Sequence, residues 1–126
     1  MIYSDRLRTF LHALEGPARE GEYPFDRLRL QAQEEGVPLI RLEMERFLQV
    51  LLELKRPHKI LEVGTAVGYS AMRMASFTSP DVMITTIENY EPRLKEARRN
   101  FAACPWSRRI SLIEGDAMEV LRTLDD

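Results

Sequence analysis

Residues 59–75, KILEVGTAVGYSAMRMA, constrain this chain more than any other stretch. Ile60, Leu61 and Val63 form a short apolar run that suits a buried strand. Glu62 stands near the carboxyl end of that run. Gly64 and Gly68 bracket a tight turn. Tyr69, Ser70 and the helix-forming Ala71, Met72, Met74 and Ala75 follow. This order sets the electropositive start of a helix beside an acid at the end of a strand. It is the layout of a nucleotide-cofactor site in an α/β sheet.

The rest of the chain divides around that stretch. Ser4 and Asp5 read as a helix start, with Leu7, Phe10, Leu11 and Leu14 at helical spacing and Gly16-Pro17 as the stop. Phe25, Leu28 and Ala32 predict a second helix, closed by Gly36. Val37-Pro38 is extended, because proline restricts its predecessor. A third helix spans about Leu42 to Lys55, with Met44, Phe47, Leu48, Leu51 and Leu54 on one apolar face. Strands follow at Ile60–Val63, Val82–Ile87 (ending on Glu88) and Ile110–Ile113 (ending in Glu114-Gly115-Asp116). Helices start at Gly68, at Pro92 and at Ala117, the last running to Leu124. Alternating strands and helices predict a parallel α/β sheet with right-handed crossovers. We therefore expect a helical cap over 1–57 and part of a doubly wound domain over 58–126. In such a sheet the first strand is central, and here its outer edge would be unpaired and apolar, which soluble proteins avoid. The expectation is a piece of a protein of roughly 200 residues or more, the alternative being a partner chain that covers the edge.

Composition sets the class. With 44% hydrophobic and 30% charged residues, the 126-residue chain is an ordinary globular domain. A net charge of -2 argues against a generally basic nucleic-acid coat. The basic residues are nearly all arginine, which suits local phosphate contacts, although solvated helix faces explain them more simply. Charges run through MIYSDRLRTFLHALEG, so it lacks the apolar region of a signal peptide. No apolar run is long enough to span a bilayer. Cys104 is the only cysteine, so no internal disulfide can form. These features predict a cytoplasmic protein without a membrane partner.

The turn narrows the cofactor. A dinucleotide fold uses G-x-G-x-x-G, whereas G-T-A-V-G lacks the middle glycine, and no G-K-[ST] follows. The expected ligand is S-adenosylmethionine. Its carboxylate suits the turn amides and the Ser70 hydroxyl, and its ammonium and sulfonium charges suit Glu62. Glu88, twenty residues after Gly68, can accept from a ribose diol, or it is a solvated acid. Asp116 can take the adenine amine, with the Ala117 N–H on a ring nitrogen, or it is a helix N-cap. Tyr69 reads equally as a ligand contact and as core. His12 and His58 stand alone, without metal-ligand spacing. Cys104-Pro105-Trp106 reads as a loop with a packing aromatic. No residue is assigned a catalytic or metal-ligating role.

The segments GVPLI (36–40), KILEVGTAVGYSAMRMA (59–75), TTIE (85–88) and EGDAMEVL (114–121) together resemble the class I, cation-dependent O-methyltransferases of catechol and caffeoyl-CoA type. The likeness runs from about residue 30 onward. The short helical cap and the GVP segment most resemble the bacterial branch that contains tRNA 5-hydroxyuridine methyltransferase. The resemblance implies a Rossmann-like class I methyltransferase fold, present here as its N-terminal half. It implies a cofactor site of Ile40, Glu62, Gly64, Thr65, Gly68, Ser70, Glu88, Asp116 and Ala117. It implies methylation of a hydroxyl, with the tRNA wobble 5-hydroxyuridine ahead of a small catechol-like acceptor. It also implies Mg²⁺, held by residues that follow a fourth strand. A homodimer through the N-terminal helices is compatible with it. Two other classes stay open: a nicotinamide-dependent oxidoreductase and a non-catalytic binding module.

Overall fold

The structure, a computed structural model, describes residues 5–15 and 22–124. Ser4, Gly16-Pro17 and the side chains of Leu11, His12 and Leu14 lie outside what is described. Three helices come first: α1 (Asp5–Glu15), α2 (Phe25–Glu34) and α3 (Leu42–Lys55). Then β1 (Lys59–Val63), α4 (Tyr69–Phe77), β2 (Met83–Glu88), α5 (Glu91–Ala103), a short 3₁₀ turn (Ser107–Arg109), β3 (Ile110–Glu114) and α6 (Ala117–Leu121) alternate. The strands pair in parallel in the order β1-β2-β3. The register sets Glu62 opposite Thr86, and Glu88 opposite Glu114. Parallel strands need crossovers, and α4 and α5 supply them.

The sheet is buried at its centre. Ile84, Thr86 and Ile87 of β2 are all within 1% of full burial. Leu61 and Val63 of the edge strand β1 are 49% and 58% exposed. The core joins α2, α3 and α4 to the sheet through Phe25, Ala32, Leu52, Met72 and Ile84. Phe25 stacks on Trp106 and meets Tyr69 edge-on, so the aromatic of the 104–106 loop is a packing residue. Arg109 caps the far end of α4. Its guanidinium donates to the carbonyls of Ala75 and Val82 and to the Thr78 hydroxyl, a favourable place for a cation.

Three details differ from the sequence reading. β2 starts at Met83 rather than Val82, and it closes on Glu88 as expected. α6 ends at Leu121 instead of Leu124, because Thr123 turns back and donates to the Val120 carbonyl through both its amide and its hydroxyl. The apolar stripe of α3 faces outward, with Met44, Phe47 and Leu54 54%, 56% and 78% exposed. The inward face carries Leu42, Leu52 and the fully buried Glu45. Partly buried arginines on α2 and α4, Arg29 and Arg73, pair with that glutamate. Among the described residues no helix is long and apolar enough to cross a membrane.

Candidate functional site

The carboxyl ends of the three strands carry the site. The β1–α4 loop continues the sheet ladder for two residues, with the amides of Gly64 and Thr65 donating to the Ile87 carbonyl at 2.8 and 3.2 Å. The chain then turns sharply. Gly64 and Gly68 hold φ of 92° and 91°, and Ala66 between them also sits at a positive φ, 48°. The position where a dinucleotide loop would have its middle glycine thus keeps a left-handed backbone but carries a methyl group.

The two glycines serve different ends. A Cβ on Gly68 would lie 2.6 Å from Phe101, so α5 packs directly against the turn. A Cβ on Gly64 would meet nothing within 4 Å. Space in front of Gly64 therefore stays open for a ligand to approach the backbone. Asn100 secures the loop from α5 by donating to the Val67 carbonyl at 2.7 Å.

α4 begins immediately after this turn, with Gly68 as a cap that offers no side chain. Among the described residues the amides of Tyr69, Ser70 and Ala71 find no acceptor, and the Ser70 hydroxyl makes no hydrogen bond. A helix start with free donors and a free hydroxyl can accept an anion.

The acids surround it. Glu62 accepts from the Thr86 hydroxyl at 2.6 Å, and Thr86 also meets the Thr65 hydroxyl at 2.6 Å. Burial pushes the Glu62 carboxyl up to about 7; the Thr86 bond opposes the shift and the Glu88 charge adds to it. A nearby cation would favour the ionised form. Glu88 accepts from the amides of Ala66, Asn89 and Tyr90 at 3.0, 3.0 and 3.1 Å. Its own carbonyl accepts from Gly115, which brings the β3–α6 loop alongside. Asp116 caps α6, accepting from Met118 and Glu119, while the Ala117 amide is unclaimed among the described residues.

The structure thus gathers Glu62, Gly64, Thr65, Gly68, Ser70, Glu88, Asp116 and Ala117 at one end of the sheet. Thr65 faces it through its backbone only, because its side chain is buried against Thr86. Ile40 comes from the cap, where Arg29 donates to its carbonyl at 2.9 Å. The side chain of Tyr69 is buried in the core, so this residue faces the site through its amide alone. A cavity of about 200 Å³ lies elsewhere, between α2 and residues 37–43, and none of the strand-end acids lines it. His58 is exposed, 3.9 Å from Asp81. Among the described residues no group of three or more His, Cys, Asp or Glu side chains is placed to hold a metal. Sequence reasoning missed Thr86, Asn100 and Glu45. Only Thr86 left a trace, as the polar member of the TTIE strand.

This arrangement of a parallel sheet, a glycine turn and strand-end acids belongs to a cofactor-binding α/β class, and the comparisons give the family. The chain belongs to the O-methyltransferase family, whose pattern matches residues 25–126. A Staphylococcus aureus protein assigned as a caffeoyl-CoA O-methyltransferase superposes with a TM-score of 0.85 at 30% identity, over 97% of this chain and 56% of that one. A Klebsiella pneumoniae protein assigned as an O-methyltransferase gives 0.80 at 28%, over 96% and 55%. The tRNA1(Val) (adenine(37)-N6)-methyltransferase of Bacteroides thetaiotaomicron is 36% identical over 59 residues, 47% of this chain and 25% of that protein. The chain spans just over half the length of the two solved relatives and a quarter of the curated one.

Proposed function

We propose that the protein is an S-adenosylmethionine-dependent O-methyltransferase whose cofactor half is residues 58–126, with residues 1–57 as its cap. One observation carries the reading. The free amides of the first turn of α4 and the Ser70 hydroxyl open beside Glu62 and the unobstructed face of Gly64. Donors there suit the carboxylate of an amino acid, and Glu62 suits its ammonium. Glu88 and the Asp116–Ala117 corner are set for a ribose and an adenine.

The cofactor, when bound, supplies an electrophilic methyl group on sulfur. The chain's own work is to hold the amino-acid end rigidly and to keep Glu62 ionised beside the positive charge. Alignment of acceptor oxygen, methyl carbon and sulfur is the larger part of such catalysis. Mg²⁺ belongs to the same reading through the family resemblance. The described residues offer it no donor set, so no step here runs through it.

For the acceptor we favour 5-hydroxyuridine at the tRNA wobble position over a catechol-like small molecule. The GVP segment and the short cap support that choice. Calorimetry on the intact protein should show saturable binding of S-adenosylhomocysteine, and an NADH titration should not saturate. No binding of S-adenosylhomocysteine would refute the reading. Loss of 5-methoxyuridine from the tRNA of a deletion strain would support the RNA acceptor, and its persistence would refute it.

A further inference from the structure

Glutamate is almost never fully buried unless it is paired. Glu45, 1% exposed in the first turn of α3, is paired three ways. Arg29 of α2 and Arg73 of α4 both ion-pair with it, and the Tyr69 hydroxyl donates to it at 2.8 Å. Arg29 reaches further. It donates to the Tyr69 hydroxyl at 3.2 Å and to the Ile40 carbonyl at 2.9 Å, and its guanidinium lies 4.7 Å above the Tyr69 ring. Tyr69 is the first residue of α4, directly before Ser70.

Packing alone would not require this network. An apolar residue at position 45 fills such a core at least as well as a buried ion pair does. What the charges add is geometry, because a planar guanidinium fixes several acceptors in set directions at once.

We infer that Arg29 and Glu45 are positioning residues for the cofactor site. One guanidinium joins the Ile40 carbonyl on the cap to Glu45 and to the first residue of α4, so the cap segment and the helix start are set as one unit. The inference rests on the cofactor reading above. It assigns the cap a direct influence on cofactor affinity, exerted without Arg29 or Glu45 touching the ligand.

Two variants test it. Arg29→Lys keeps the charge, but a single ammonium cannot hold all three partners in the guanidinium's directions. Tyr69→Phe keeps the ring and removes only the bridging hydroxyl. Calorimetry with S-adenosylhomocysteine should show dissociation constants raised about tenfold in Arg29→Lys and several-fold in Tyr69→Phe, the scale of one lost charge-assisted contact. Stoichiometry should stay near that of the wild type. A merely structural role would do the opposite, lowering the stoichiometry of binding-competent protein at unchanged affinity. That result, or wild-type binding in both variants, would overturn the inference while leaving the cofactor reading intact. If Arg29→Lys fails to fold, Tyr69→Phe alone decides. Absence of binding by the wild-type protein would overturn both.

Discussion

Gly64 and Gly68 allow one substitution to be read twice. They share a positive φ, 92° and 91°, so alanine meets a comparable left-handed penalty at each, roughly 1–2 kcal/mol. Their surroundings differ. At Gly64 the new methyl group meets nothing within 4 Å; at Gly68 it would sit 2.6 and 2.9 Å from Cε1 and Cζ of Phe101. Forcing a methyl group into a packed region adds about 1–3 kcal/mol. Gly64→Ala should therefore cost about 1–2 kcal/mol and Gly68→Ala about 2–5 kcal/mol, the difference being the packing part alone. Urea unfolding followed by circular dichroism measures both, provided the slope is unchanged between variants. Phe101→Leu should recover part of the loss in the Gly68→Ala background, with a coupling of about 1 kcal/mol or more. Ligand binding should rank the other way. Gly64→Ala places its methyl group where we propose the cofactor lies, so it should lose more affinity for S-adenosylhomocysteine than its stability loss suggests. Equal stability costs within about 0.5 kcal/mol, the limit of additivity, would refute the argument that α5 packs against the turn.

Glu62 should give the protein a distinctive pH profile. Its carboxyl is held at about 7 against an ordinary 4.5. Between those values the folded form keeps a proton that the unfolded chain has released, so this group's contribution to stability falls as pH rises through the window. Glu62→Gln retains an acceptor for Thr86 and should remove that slope, gaining on wild type at pH 8; parallel profiles in chemical denaturation would contradict this. Glu45→Ala removes the carboxylate shared by two arginines that are only 12% and 17% exposed and should cost about 3–5 kcal/mol in the same assay. Asn100→Ala removes the bond to Val67 and should cost about 1 kcal/mol, with faster amide exchange at residues 64–68 as the accompanying sign.

Much of this architecture was legible because its signals are local. The apolar run at 60–63, the paired glycines and the helix formers behind them sit within seventeen residues, and the structure keeps their order. Pro92 marked the start of α5 and Asp116 the cap of α6 through rules that act over one helical turn. What the sequence hid is non-local. The stripe of Met44, Phe47 and Leu54 looked like a core face, yet α3 turns Glu45 inward, because its partners lie 16, 24 and 28 residues away in sequence. Neither helical period nor charge spacing encodes such a meeting. Thr86 reaches Glu62 across 24 residues, and Asn100 reaches Val67 across 33. At the candidate site the residue types were readable, whereas their supports were not. For Thr65, even the face it presents was decided by Thr86.

Glu88 sets a limit on how a nucleoside can be held here. A carboxylate offers about four lone-pair positions. Three backbone amides from two loops already point at this one, Ala66 from the glycine turn and Asn89 and Tyr90 from its own. A ribose diol brings two more donors, one beyond the capacity that is left. Its arrival must therefore displace an amide or force two donors to share a lone pair. If Ala66 gives way, the turn between Gly64 and Gly68 loses its tie to the Glu88 carboxylate and is held to β2 by Ile87 and Thr86 alone. Recognition at Glu88 would then be an exchange of partners, in which sugar binding and the shape of the glycine turn are mechanically linked.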